Sequence, residues 1–429
     1  MSEITRRGMM KIAVGAGVAL AMSRATAALA QAGDANGKKV RVGFIGVGDR
    51  GTGLLRVLVQ LPGVEVPAVC DIVSERTKRA QDIVQKALGK RPESYENGPT
   101  DYRKLLERDD LDAVVLGTPQ ELHAAMTIDA FKAGKFVGSE VPACTTIDEC
   151  HAMIKAFRET KGAGYMMLEN YLYSSYVMQV QTMVDAGLFG DLTYGYGSYI
   201  HEIRGMKYNP DGTLTWRGHN VEKTRGIVYP THAIGPVCRW MGVDGVKDRL
   251  ETVVAMDSKS LATQAFAAAN FGPDSAAAKI PIENGDTNIA LVRTTQGRLI
   301  EVRYDTASPR PPGMGEYQLQ GTKGAYNSAF GVRNVYLEGK VKGEVWEPLE
   351  KYADQYQHPY WKQDGEKAKK TGHGGGDWFV MRDFVDAVRT GKSPIDIYDA
   401  VAWTSVRPLS EASIRAGAKP VEVPDFRKE

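Results

Sequence analysis

The sequence predicts an α/β fold in two parts: an N-terminal doubly wound parallel sheet, then an α+β domain on an open, mainly antiparallel sheet. Three observations carry this. Short apolar runs alternate with helix-like stretches over roughly residues 38–170. A glycine-rich turn joins the first run to the first helical stretch. From about Asp191 the pattern changes to longer, alternating runs rich in Tyr and Thr. The 429 residues, 43% apolar and 25% charged, have ordinary globular composition, which excludes a disordered or collagen-like chain and suffices for two cores. A formal net charge of +2 argues against nucleic-acid binding, which needs a clear basic excess.

That small surplus belongs to the N-terminus, where Arg6, Arg7, Lys11 and Arg24 stand against Glu3. Arg6-Arg7 precedes an apolar, Gly/Ala-rich run from Ile12 to Met22 and the small-x-small site Ala28-Leu29-Ala30. The run is shorter than the ~20 residues that span a bilayer. Residues 1–30 are therefore expected to be a twin-arginine signal peptide, read by the twin-arginine export machinery, for a protein that is periplasmic or secreted. No later stretch is long and apolar enough to predict a membrane span. Residues 31–38 read as a polar linker.

The predicted cofactor domain covers residues 39–170. The strand Val40 to Ile45 runs into Gly46-Val47-Gly48-Asp49-Arg50-Gly51, a helix is expected over Thr52 to Leu61, and the strand Val64 to Cys70 ends at Asp71, twenty residues beyond Gly51. Gly46, Gly48 and Gly51 would let the backbone approach a pyrophosphate at a helix N-terminus, and Asp71 would accept from ribose hydroxyls. The acid's charge disfavours a 2′-phosphate, so the cofactor reads as NAD before NADP, with Arg76 nearby as the counter-indication. The alternation continues as strand Leu111 to Leu116, helix Leu122 to Ala133, strand Phe136 to Val141, helix Ile147 to Thr160 and strand Tyr165 to Leu168.

Residues 171–429 are expected to form the substrate domain, with strands Leu192 to Ile200, Thr287 to Thr294, Leu299 to Tyr304 and Tyr317 to Gln320. Helices over Trp378 to Arg389 and Tyr398 to Ala416 close the chain and could pack back on the first domain. An exposed face on the open sheet suggests a homo-oligomer. Cys70, Cys144, Cys150 and Cys238 lie in apolar settings without close spacing and read as buried free thiols.

The sharpest cluster of proton-handling residues is Tyr229-Pro230-Thr231-His232, read as a helix start that puts Tyr229 and His232 on one face. They could exchange protons or simply pack at the domain seam. Tyr199 and His201 share a sheet face at a strand end, and Trp216-Arg217 reads as polar loop. The histidines lack zinc-binding spacing, so no metal is expected. His358 and His373 read as loop caps, and no GxSxG turn supports a serine triad.

Gly138-Ser139-Glu140-Val141, Leu168-Glu169-Asn170, Tyr199-Ile200-His201, Thr215-Trp216-Arg217, Tyr229-Pro230-Thr231-His232, Gly372-His373-Gly374-Gly375 and Pro408-Leu409-Ser410-Glu411 resemble the glucose-fructose oxidoreductase/inositol dehydrogenase/MocA (Gfo/Idh/MocA) superfamily, whose N-terminal domain has the Rossmann fold. More closely, they are similar to glycoside hydrolase family 109, the NAD-dependent α-N-acetylgalactosaminidases. Val141 stands where the superfamily's dehydrogenases carry a catalytic Lys, and Arg310-Pro311 is followed by Pro312-Gly313 where the hydrolase family has a substrate-contacting Tyr. The resemblance implies that Asp49, Arg50, Asp71, Gln120 to His123, Glu140, Val141 and Asn170 line NAD, and that Tyr199, His201, Arg217, Tyr229 and His232 surround a glycoside substrate. It further implies a cycle of oxidation at carbon 3, elimination, water addition and reduction. His232 and Tyr229 would deprotonate the 3-hydroxyl, Tyr199 would take the carbon 2 proton, and His201 would serve the leaving oxygen. Two alternatives stay open: an exported sugar dehydrogenase releasing a 3-keto sugar, and a non-catalytic NAD-binding scaffold.

Overall fold

The computed structural model describes residues 39–160 and 164–428, so the expected signal peptide and the linker lie outside the described residues. The first sheet has six parallel strands: β1 (Val40–Ile45), β2 (Val64–Cys70), β3 (Glu93–Tyr95), β4 (Ala113–Leu116), β5 (Phe136–Ser139) and β6 (Tyr165–Met167). Their spatial order, β3-β2-β1-β4-β5-β6, reverses direction between β1 and β4 and opens a crevice at the strands' carboxyl ends. The near-continuous burial of β1, β4 and β5 is what a parallel sheet covered on both faces requires.

The first helix, Asp49–Leu58, begins inside the glycine motif, three residues before the expected Thr52, because Gly48 already serves as N-cap. Gly46 has φ +84, and a Cβ on Gly51 would lie 1.9 Å from the Gly46 carbonyl oxygen. Only glycines allow this turn to close on itself. Three further elements lack a strong apolar signature: the helix Ser74–Leu88, which buries only Thr77, Ala80 and Val84, the edge strand β3, and the short helix Tyr102–Leu106.

The second sheet holds β7 (Leu192–Ile200), β8 (Leu250–Asp257), β9 (Asn288–Thr294), β10 (Leu299–Asp305), β11 (Tyr317–Gly321), β12 (Gly324–Asn327), β13 (Asn334–Leu337), β14 (Glu347–Pro348) and β15 (Val421–Glu422). Their order is β14-β13-β12-β11-β7-β10-β9-β8-β15. Every pair is antiparallel except the central one, β7 with β10. Strand β9 alternates strictly, burying Ala290 and Val292 and exposing Ile289 and Leu291. The buried face carries the helices Thr231–Met241 and Ile397–Arg415. Gly197 of β7 admits the first of these so closely that a Cβ would meet the Ala233 carbonyl oxygen at 1.9 Å.

The C-terminal helices Gly376–Thr390 and Ile397–Arg415 return to the first sheet. Phe384 packs edge-on against Phe136 of β5 at 5.9 Å between ring centroids, Met167 of β6 donates its N–H to the Ile395 carbonyl at 3.1 Å, and Ala143 donates to Thr404 Oγ1 at 3.2 Å. All four cysteines are buried free thiols, with Cys144 and Cys150 in contact at 3.0 Å. Among the described residues no helix is long and apolar enough to cross a membrane.

Candidate active site

A cavity of about 760 Å³ lies where the crevice of the first sheet faces the second sheet. Its first-domain wall includes Gly46, Gly48, Asp49, Arg50, Asp71, Gln120, His123, Glu140, Val141 and Asn170; its second-domain wall includes Tyr199, His201, Arg217, Tyr229 and His232. All but two of the residues singled out from the sequence thus line one space; Gly51 sits beneath the turn, and Glu121 is absent from the lining.

The first-domain half fits a dinucleotide. A Cβ on Gly48 would find nothing nearer than Arg76 at 3.8 Å, so the backbone of the turn is open to an approaching phosphate. Asp71 is fixed at the end of β2 by N–H groups of Val47 and Val73, each 3.0 Å from a carboxylate oxygen, and Arg76 stands 3.5 Å away. Asn170 donates to Asp377 at 2.9 Å while its Oδ1 is buried without a partner among the described residues, as is Thr118 Oγ1 on the same cavity wall. These are acceptors and donors poised for a polar ligand.

Not every predicted contact is free for a ligand. His123 is buried, with Nδ1 2.8 Å from the Pro142 carbonyl and Nε2 2.9 Å from the Thr118 carbonyl, so its ring braces two loops. Gln120 Oε1 accepts from Arg407 at 2.8 Å. Arg50 is held by Glu140 at 2.6 Å and Asp377 at 2.8 Å. Burial alone would raise the Asp377 carboxyl; the hydrogen bond from His373 and the Arg50 charge outweigh it and hold the group well below the usual carboxylate range.

The second-domain half is a nest of rings. Tyr199 ends β7, and its hydroxyl lies 3.1 Å from His201 Nδ1. Its ring is 4.9 Å from Tyr229, 5.5 Å from His232 and stacked on Tyr304 at 6.0 Å. Tyr229 precedes the helix Thr231–Met241 instead of lying on it, since Pro230 occupies the N-cap; the turn nonetheless brings its ring to 4.8 Å from His232. Trp216 and Arg217 form the first turn of the helix Trp216–Lys223, capped by Thr215, rather than the expected loop, and the Arg217 guanidinium covers the Trp216 ring at 4.1 Å.

Burial pushes the Tyr199 and Tyr229 phenols well above their ordinary pKa, so both are protonated near neutrality. Burial, and then the Arg217 charge, push His201 down, keeping its imidazole neutral and able to accept. A buried phenol of this kind can take a proton only by handing on its own, and His201 is placed to receive the one from Tyr199.

Sequence reasoning passed over four contributors. Glu169 lies beneath His232, its Oε1 2.6 Å from Nδ1; the two are far apart in sequence, so no local spacing reveals them. Tyr171 packs on the same imidazole at 4.4 Å. Asp377 joins the helix Gly376–Thr390 to Arg50 and Asn170. His373, read as a loop cap, instead lines the cavity and bonds Asp377 at 3.0 Å. His358 does cap a helix, accepting from Tyr360 N–H at 3.2 Å.

Residues 40–167 match the model of the oxidoreductase family with an NAD-binding Rossmann fold, and residues 173–429 match that of the glycosyl hydrolase 109 C-terminal domain. Among solved structures, levoglucosan dehydrogenase in complex with NADH superposes with a TM-score of 0.69 over 90% of this chain and 100% of that one, at 20% identity, a likeness of fold alone. An α-N-acetylgalactosaminidase from Shewanella oneidensis is 36% identical over 91% of this chain and 85% of its own. A glycosyl hydrolase family 109 protein from Solibacter usitatus is 36% identical over 100% of this chain and 98% of its own. With both halves matched in order and such relatives aligned nearly end to end, the chain belongs to glycosyl hydrolase family 109.

Proposed function

We propose that the protein hydrolyses terminal N-acetylgalactosaminides, or closely related glycosides, with NAD held in the first-domain half of the cavity. The observation that carries this reading is the placement of Tyr199, His201, Tyr229 and His232 on one wall, facing the glycine turn, Glu140 and Asn170 on the other. Bound NAD would supply reversible hydride acceptance at carbon 3 of the sugar. Gly46, Gly48 and Asn170 would hold it, and Asp71 would receive its ribose hydroxyls.

His232, with Tyr229 beside it, takes the proton of the 3-hydroxyl. The resulting ketone acidifies the carbon 2 proton, which passes to Tyr199 as the Tyr199 phenol releases its own proton to His201. As the carbon 1–oxygen bond breaks, protonated His201 gives its proton to the departing oxygen, and water adds to the unsaturated sugar. No pair of carboxylates flanking the scissile bond is needed, because the ketone provides the activation. Val141 in place of a lysine removes a proton-handling group from the cofactor side and favours this cycle over simple alcohol oxidation.

The test is turnover of an aryl α-N-acetylgalactosaminide by purified protein, stripped of nucleotide and reloaded with NAD. Aglycone release that depends on NAD supports the reading. NADH accumulating over an intact glycoside refutes it and identifies a sugar dehydrogenase; nucleotide binding without either reaction identifies a scaffold.

We further propose export by the twin-arginine route, supported by Arg6-Arg7 and the apolar run behind them. Recovery of the protein from the periplasm that is lost on replacing Arg6 and Arg7 by lysine tests it. A homo-oligomer joined through the open sheet face is supported by exposed Met256, Ile289, Leu291 and Leu299, and mass measurement in solution decides it.

A further inference from the structure

We infer that Glu169 is the positioning residue of the reaction: it fixes the tautomer and orientation of His232, so that Nε2 is the nitrogen that receives the substrate proton. The inference rests on the proposed function for what His232 acts on, and on geometry alone for the pairing.

Glu169 follows β6 at the junction of the two domains and is completely buried. Its Oε1 lies 2.6 Å from His232 Nδ1 and also accepts the Tyr171 N–H at 3.1 Å. A carboxylate can only accept, so Nδ1 must carry the proton, and the neutral imidazole then has its lone pair on Nε2. The ring is held from other sides as well. Tyr171 packs on it at 4.4 Å, and Tyr317 donates its hydroxyl to the His232 carbonyl at 2.6 Å, pinning the start of the helix that carries it. The second carboxylate oxygen of Glu169 is buried without a hydrogen-bond partner among the described residues. A buried carboxylate with half of its acceptor capacity unfilled is destabilising as a structural device. It acquires a use when His232 becomes an imidazolium, because the new positive charge then sits against it.

The proton balance is simple. The sugar O–H bond breaks, its electron pair stays on oxygen, the proton forms an Nε2–H bond, and Glu169 pairs with the resulting cation without itself being protonated. Arginine 50 and Asp377 do not substitute for it, since they are engaged with each other, Glu140 and His373 on the cofactor side. Acid and imidazole come from different elements, Glu169 from the end of the first domain and His232 from the helix Thr231–Met241 of the second, so the working nitrogen is set only when the two domains are docked.

Glu169→Gln keeps the shape but offers an amide, which can face Nδ1 with its NH₂ and drive the proton to Nε2. In a serine-protease triad the equivalent exchange lowers kcat about 10⁴-fold. Here kcat should fall roughly 10²–10⁴-fold, with KM and NAD affinity within about threefold of wild type, a margin well under one order of magnitude. Glu169→Asp, which retains the acceptor at a longer reach, should recover part of the loss. Independently of activity, nitrogen-15 spectra of the imidazoles, with the His232 signal assigned by its loss in His232→Asn, should show the Nδ1–H tautomer in wild type and its loss in Glu169→Gln. Unchanged tautomer and unchanged kcat in Glu169→Gln overturn the inference, as does a wild-type His232 protonated at Nε2. Wild-type protein with the Nδ1–H tautomer that cleaves no glycoside overturns the proposed function while leaving the pairing intact.

Discussion

Asp377 is the place where one atom's worth of change should be felt across both domains. Its two carboxylate oxygens receive Arg50 at 2.8 Å, His373 at 3.0 Å and Asn170 at 2.9 Å, and its side chain is almost wholly buried. In Asp377→Asn a single carbonyl oxygen must serve all three donors, and the new NH₂ faces either Asn170 or Arg50. Breaking a buried ion pair costs about 3–5 kcal/mol. Arg50 retains Glu140 and is a quarter exposed, which places the expected loss near the lower end, about 3 kcal/mol. At roughly 2–4 °C per kcal/mol for a domain of this size, the thermal midpoint should fall by about 6–12 °C near pH 7. The pH dependence has a definite sign. A carboxylate held below its ordinary 3.8 stabilises the fold fully above that value and loses its contribution as pH falls through the lower folded value. The gap between wild type and variant should therefore close on acidification below about pH 3.8. Melting curves of the purified proteins, without added nucleotide, check both statements. A drop below about 2 °C, worth less than 1 kcal/mol, or a gap that is unchanged at low pH, would refute the reasoning.

Gly51→Ala should abolish nucleotide binding or unfold the turn, since its Cβ would lie 1.9 Å from the Gly46 carbonyl oxygen; fluorescence titration with NAD measures it. Tyr199→Phe should lower kcat by roughly 10²–10⁴-fold, with little change in the Kd of NAD. His201 is held below its ordinary 6.5 by burial and by Arg217, with Glu202 opposing and His232 and His373 adding to the effect. It loses its capacity to accept only as pH drops below that value, so the acid limb of kcat should lie under pH 6.5 and move in Arg217→Met. Asp71→Ala should erode the preference for NAD over NADP about 10- to 100-fold, on about 1.5–3 kcal/mol for a charged hydrogen bond, measured from the Kd of each nucleotide.

Much of this architecture was legible because it repeats. Strands β1, β4 and β5 are apolar runs flanked by glycine, and the alternation of β9 and β10 marks a half-exposed sheet. The helix Ser74–Leu88 escaped because its narrow buried stripe, Thr77, Ala80 and Val84, holds small or polar residues in an otherwise charged run. The parallel pairing of β7 with β10 has no local signature either, being decided by which neighbours bury the central face. At the site, local pattern singled out Tyr229 and His232 as a proton-handling pair, whereas Tyr199 and His201 were assigned to it only through the family resemblance, since a strand-end Tyr and His look alike in a core and in a site. Glu169 and Asp377 were invisible as partners because an acid's role depends on what tertiary packing puts against it. His373 was misread for the same reason: a glycine-flanked histidine looks like a cap until the loop is seen folded over the cavity.

The central claim is that oxidation and reduction frame an elimination within one turnover. Cleavage of an aryl α-N-acetylgalactosaminide in deuterated water tests it most directly. The account predicts aglycone release, deuterium at carbon 2 of the sugar product and no net NADH; aglycone released from a sugar that carries no deuterium at carbon 2 would contradict it.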